Sequence, residues 1–176
     1  MKITDESIAQ VPLTKIPTMS GIENIALREC HRALLREVSK QPDGTEIAIA
    51  YDLKFNELSR SVGGAGKGNV KIQRVNRPHV MIHNHPDGLV FSHTDIISFA
   101  NNPFMNTMTA VGNNGRVYSI SRLSNVDNVG LWNFALTLQS NVIPLISSGD
   151  EDSYIFLIRS FLKEVGRYGC YTNYLR

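Results

Sequence analysis

The sequence predicts an α/β fold of the α+β type, a mixed β-sheet flanked by helices, with extra helices at both ends. Three observations carry this expectation. Thr45–Asp52 (TEIAIAYD) alternates with period two, as a half-buried strand does. His79–His83 (HVMIH) and the two segments around Asn113-Asn114-Gly115 supply further strands. Segments with helical spacing stand before, between and after these strands.

The 176 residues are 42% hydrophobic and 19% charged, with a net charge of +2. That balance excludes intrinsic disorder as the main description and suits one globular domain. The sequence has no run of about 18 apolar residues, so no spanning helix and no membrane partner are expected. The opening MKITDESIAQ carries acids where a signal peptide needs an apolar run. Cys30 and Cys170 are too few for a disulfide framework, and a reducing cytoplasm is the expected location. A pI near 8.6 does not by itself indicate nucleic-acid binding.

Taken in order, residues 1–20 contain Pro12 and Pro17 without clear periodicity and read as an extended arm. Ile22–Val38 reads as a helix capped by Ser20, with Glu23 completing a capping box. Pro42-Asp43-Gly44 is a turn. In the Thr45–Asp52 strand, Glu46, Ala48 and Ala50 share one face, and Ile47, Ile49 and Tyr51 share the other. Asn56–Asn69 is glycine-rich and loop-like, and Val70–Val75 reads as a short strand. The His79–His83 strand is stopped by Pro86. Ser92–Asn101 is a short helix capped by Ser92. Thr107–Gly112 and Arg116–Ser121 flank the Asn-Gly turn as a hairpin. Two amphipathic helices follow near Asp127–Ser140 and Glu151–Gly166, separated by Pro144 and Gly149. The chain thus divides into an N-terminal arm and helix (1–44), a core (45–121) and a C-terminal helical part packed on the same domain (122–176).

Four of the five histidines lie between His79 and His93. Within that span, His83-Asn84-His85-Pro86 precedes Ser92-His93-Thr94-Asp95. On a strand, residues i and i+2 face the same way, so His83 and His85 aim at one point while Asn84 faces away. Asp95 stands one turn into the next helix and adds a carboxylate. Two imidazoles and one carboxylate make a three-ligand Zn2+ site with an open fourth position, the mark of a catalytic centre. Such a site needs a general base that is not a ligand. Glu46 is the candidate, on the face lined by small Ala48 and Ala50, with Glu57 as the fallback. Ser92 is the candidate oxyanion donor and also a helix cap.

The segment His83–Asp95 resembles the metal signature of the JAB/MPN (JAMM) metalloprotease family: His-x-His-Pro, a short loop, then Ser-x-x-Asp. His-Asn-His-Pro is most similar to the bacterial RadC-type and phage-associated branches. The resemblance covers about Thr45–Ser121 and implies a curved sheet flanked by helices. It implies zinc on His83, His85 and Asp95, acid/base work by Glu46, and assistance to a tetrahedral intermediate by Ser92. It implies cleavage of a peptide or isopeptide bond in a protein or peptide substrate. Two departures stand out. The loop from Pro86 to Ser92 is one residue shorter than the usual pattern, and the interval between the glutamate and histidine strands is glycine-rich rather than helical.

Other polar features read more plainly. His79 is expected to start its strand and pack or face outward, and His93 to follow the cap. Asp87 reads as a turn residue with Gly88. Gly63–Gly68 fails the phosphate-loop pattern, with Ser61 and Gly68 at decisive positions, and reads as a flexible loop. From Arg60 to Arg77 the chain carries Arg60, Lys67, Lys71, Arg74 and Arg77 without an acid. That run is a candidate edge for an acidic partner or nucleic acid. Tyr168, Tyr171 and Tyr174 recur at every third position and either dock a partner or pack back. Two alternatives to a hydrolase stay open. One is a zinc-binding interaction module without useful catalysis. The other is a nucleic-acid-associated protein using the same metal.

Overall fold

The structure is a computed structural model, and it describes residues 1–64 and 70–175. Among the described residues, six strands form one sheet: β1 (Ile47–Tyr51), β2 (Glu57–Val62), β3 (His79–His85), β4 (Met105–Gly112), β5 (Val117–Arg122) and β6 (Cys170–Thr172). Their spatial order is β2-β1-β3-β4-β5-β6. Only β3 and β4 pair in parallel; the other neighbours are antiparallel. The α-helices are α1 (Asp5–Ala9), α2 (Gly21–Val38), α3 (His93–Asn101), α4 (Asn128–Ser148) and α5 (Glu151–Glu164). The fold is therefore α+β with a mixed sheet. A parallel pair needs a crossover, and α3 supplies it between β3 and β4.

The period-two alternation of β1 sorts the core into two layers. Ala48 and Ala50 join Met81, Met108 and Ala110 on one face, under Phe91 and Phe99 and the α4 and α5 residues Leu131, Leu138, Ile158 and Phe161. Ile47 and Ile49 join Val80, Ile82 and Val111 on the other, under Leu27, Leu34 and Leu35 of α2 and Ile8, Val11 and Ile16 of the arm. Two helical layers thus cover one sheet, and β3 is buried along its whole length. Arg122 is buried too. It donates to the carbonyls of Met105, Phe99 and Asn102, and its guanidinium lies 4.6 Å from the Phe99 ring centre. The last two acceptors belong to the end of α3, where a cation suits the helix dipole.

Several expectations need correction. The arm is not extended throughout: Thr4 and Ser7 form a reciprocal capping box that starts α1. Asn56–Asn69 was expected to be loop, yet Glu57–Val62 is β2, paired only with β1 at the sheet edge. Its sequence, ELSRSV, has two apolar residues, because neither face of this edge strand is deeply buried. Val70–Val75 is not a strand. The His79 strand extends to His85, where the ladder with β4 ends at Gly112. Helix α4 continues through Pro144 to Ser148 and ends at left-handed Gly149. Pro144 removes the bond to the Ser140 carbonyl, but both residues are exposed and water can satisfy it. β6 was not anticipated; only pairing with β5 makes these three residues a strand. By length and composition α4 could cross a membrane, although its buried stripe packs in the core. Of the glycine-rich stretch, residues 65–69, including Lys67, lie outside the described residues.

His31 ties α2 to the sheet. Its Nε2 lies 2.7 Å from the Thr109 hydroxyl on β4, while Nδ1 has no partner. Burial, with a smaller contribution from His83, pushes its pKa down to about 3. The unfolded imidazole titrates near 6.5, so between pH 6.5 and 3 the unfolded chain binds the extra proton. This contribution to stability is complete above pH 6.5 and is lost as pH falls towards 3. Urea unfolding midpoints should therefore drop from about pH 7.5 to about pH 5, and drop less in His31→Gln. Equal drops in both proteins would refute the assignment.

Candidate metal centre

The site begins with β3. His83 and His85 stand two residues apart on a strand and share the face that looks towards α3. They are 1% and 7% exposed. Asp95 is the third residue of α3, and Ser92 is the N-cap. The Asp95 backbone N–H donates to Ser92 Oγ at 3.2 Å, and the Ser92 backbone N–H donates to Asp95 Oδ2 at 2.8 Å. The capping box that starts the helix therefore also fixes the carboxylate. The N-terminal end of the helix dipole favours its negative charge.

Three donor groups converge. The two Nε2 atoms are 3.0 Å apart, His83 Nε2 is 3.5 Å from Asp95 Oδ1, and His85 Nε2 is 3.3 Å from Asp95 Oδ2. A tetrahedral zinc with ligands at about 2.0–2.2 Å sets neighbouring donor atoms roughly 3.3–3.5 Å apart. The observed separations are near that spacing, with the two histidines facing different oxygens of Asp95. His85 Nδ1 lies 3.0 Å from the Leu89 carbonyl. In the neutral ring, donation to that carbonyl leaves the lone pair on Nε2, the atom that would hold a metal. His83 Nδ1 has no such partner. Burial alone would raise the Asp95 pKa, but the charge and hydrogen bonds of His83 and His85 hold it well below the usual range. Burial lowers the His85 pKa, yet Asp95 outweighs it and lifts the value to about 9. The residues fit a divalent cation in donor type, spacing and charge.

Glu46, the residue just before β1, joins this group. Ala48 faces His83 across the ladder, and continuing the register two residues brings Glu46 beside His85. Glu46 is 7% exposed. Burial lifts its pKa to about 7, Asp95 and Asp87 add to the shift, and His85 opposes it. A carboxyl near neutrality can both accept and return a proton. Its position depends on Asn84, which faces the opposite way from the histidines. Asn84 Oδ1 accepts from the Ile47 backbone N–H at 2.8 Å, and Nδ2 donates to the Thr45 carbonyl at 3.1 Å. One buried carboxamide thus grips the backbone on both sides of Glu46.

Glu46, His85, Ser92 and Asp95 line a cavity of about 240 Å³. Tyr118, Tyr154, Arg116 and Arg159 are also in its walls, and His83 is not among the residues that line it. Ser92 Oγ donates to Asp95 Oδ2 at 2.7 Å, so its proton orients the carboxylate. Asp87 Oδ1 accepts from the Leu89 N–H, and Gly88 has φ +74°, which makes this a tight turn over the site. His93 does not join the cluster: its ring Nδ1 lies 3.3 Å from the Tyr154 hydroxyl. His79 packs, with Nδ1 2.8 Å from the Arg77 carbonyl. Glu57, the fallback base, is on β2 and ion-paired with Arg60. Arg60 also pairs with Glu37, so it is not a free cation of the basic run.

Sequence reasoning missed Asn84, Arg116 and Arg159. Its signal for Asn84 was available, since a polar residue between two histidines that share one face must meet the opposite layer. Nothing local marks Arg116 on the β4–β5 side or Arg159 on α5, because the fold alone brings them to the cavity. No known protein family, curated protein or solved structure matches the chain.

Two outcomes follow. Elemental analysis should find about one zinc per chain, and none in a His83→Ala/His85→Ala variant of unchanged circular dichroism; equal zinc in both would remove the site. Asn84→Ala leaves two buried backbone groups without partners and should cost about 2–3 kcal/mol in urea unfolding. A loss within error of zero would show that the clamp is not needed.

Proposed function

We propose that the chain is a zinc-dependent hydrolase of the JAB/MPN type, cleaving a peptide or isopeptide bond. The observation that supports this most is the grouping of His83, His85 and Asp95 beside a cavity that His85 and Asp95 share with a separate buried glutamate, Glu46. His83 and His85 would hold the metal through Nε2, and Asp95 through its carboxylate. When bound, zinc lowers the pKa of a coordinated water towards neutrality and polarises a carbonyl.

The chain's own residues account for the remaining work. Glu46 takes the proton released at the attacking oxygen and hands it to the leaving amine, in keeping with a pKa of about 7. Ser92 holds Asp95 in place, and it serves an oxyanion only by turning its hydroxyl away from that carboxylate. The turn at Asp87-Gly88 and the side chains of Phe91 and Tyr154 restrict water around the site. Arg116 and Arg159 make no ion pair among the described residues, and both line the cavity. That favours a substrate with an acidic group near the cleaved bond.

The test is cleavage of a peptide library by zinc-loaded protein, read by mass spectrometry. Cleavage should stop in chelator and fall about 10²–10⁴-fold in Glu46→Gln, with zinc content unchanged. Cleavage by Glu46→Gln at the parent rate would exclude the assigned role.

A further inference from the structure

The cavity beside the histidines has an acidic end and a basic end, and the sheet register sets the order. Glu46 lies beside His85 when the β1–β3 ladder is continued. His85 pairs with Gly112 of β4, and the Gly112 N–H donates to the Arg116 carbonyl at 2.8 Å. Glu46, His85, Gly112 and Arg116 therefore form one row across the sheet. Residues opposite each other on neighbouring strands share a face. The packing of β5 agrees: Val117 joins the layer under α2, while Tyr118 packs in the layer that holds the histidines. Arg116, two residues before Tyr118, takes the side of Tyr118. Arg159 reaches the same cavity from α5. Both arginines are exposed, and neither has an ion pair among the described residues.

Two strand spacings separate His85 from Arg116, which sets their backbones roughly 10 Å apart. In a peptide, the carboxyl carbon of the last residue lies about 3–4 Å from the carbonyl carbon of the bond before it. A metal contact at one end and a guanidinium hydrogen bond at the other extend that span to the same scale. The acids of the cavity do not oppose an anion at the arginine end. Asp95 faces the two histidines, Asp87 Oδ1 accepts from the Leu89 N–H, and Glu46 stands at the far end of the row. Size then selects the kind of carboxylate. The cavity holds about 240 Å³, less than the roughly 300–1,000 Å³ of sites for drug-sized ligands. An acidic side chain inside a longer peptide would need room for the chain that continues beyond it. A terminal residue needs none, and Phe91 and Tyr118 offer its side chain apolar wall.

We propose that this cavity receives the last residue of a peptide or protein chain, with Arg116 and Arg159 binding its free α-carboxylate, so that single C-terminal residues are released. The proposal rests on the hydrolase reading and names its substrate class. The C–N bond to the last residue breaks. The acyl carbon takes the oxygen of one water and becomes a carboxylate, and both protons of that water go to the amine, which leaves as an ammonium.

Binding tests the site apart from turnover. Zinc-loaded Glu46→Gln is titrated in a calorimeter with N-acetyl-alanyl-phenylalanine and with its C-terminal amide. The acid should bind at least about tenfold more tightly, the scale of a charge-assisted bidentate contact. Arg116→Gln/Arg159→Gln, added to the same chain, should abolish that preference with unchanged circular dichroism, since both residues are exposed. Equal affinities, no binding of the acid at millimolar concentration, or a preference that survives the double substitution overturns the proposal; the last would assign the preference to the zinc alone. Cleavage is scored separately on the unmodified zinc-loaded chain. Release of phenylalanine from the acid and not from the amide supports the proposal. Internal cleavage of peptides at equal rates with free and amidated ends overturns it and leaves the hydrolase reading intact. An arginine-dependent preference without cleavage of any peptide overturns the hydrolase reading and supports the carboxylate site.

Discussion

A carboxylate buried at the start of a helix has to be compensated, and the site is arranged around how Asp95 meets that demand. Left alone in a low-dielectric interior, the charge would be neutralised by protonation. Here the helix N-terminus, the Ser92 cap and two imidazoles all favour the ionised form. Each contact also fixes position. The cap sets the α3 end of the site, the imidazoles fix its distance from β3, and β3 is in turn held between β1 and β4. Geometry and charge are therefore one constraint: the same contacts that keep Asp95 ionised set the donor atoms at coordination spacing.

The central strand explains why this can be done without flexible parts. β3 is buried on both faces, and its odd-numbered and even-numbered residues serve different layers. His83 and His85 enter the layer under α3, while Asn84 enters the opposite side and binds the backbone beside Glu46. Small Ala48 and Ala50 leave room for the imidazoles on the ligand face, where a larger side chain would meet them. The proposed acid/base thus stands just before β1, and two of the proposed ligands stand on its partner β3. A shift in their register would carry Glu46 to the wrong face.

Helix α4 shows the opposite economy. Its buried stripe completes the core above the sheet, Trp132 beside it packs against the same core, and Val129, Ile143 and Ile146 are exposed. Polar Asn133, Thr137, Ser140 and Asn141 keep the rest of the helix wet, so the uncovered surface is a bounded seam rather than a general apolar surface.

The grouping of His83, His85 and Asp95 was legible in the sequence because its causes are local. Strand alternation aligns His83 with His85, and the Ser92-x-x-Asp95 cap is a three-residue relation. The two faces of β1 were legible for the same reason, as were the caps of α2 and α3. β2 and β6 were not, since an edge strand with few apolar residues exists only through its neighbour's hydrogen bonds. Nor was the course of α4 beyond Ser140, where solvent exposure lets a helix tolerate Pro144. Arg60 looked like a free cation until Glu37, far away in sequence, proved to be beside it. The sequence by itself determined which residues carry ligand chemistry and which way each points within its own element. Tertiary structure alone decided that Glu46 lies beside His85, that Asn84 holds it there, and that Arg116 and Arg159 share the cavity. Those relations join segments distant along the chain, and only packing of the sheet and helices brings them within reach.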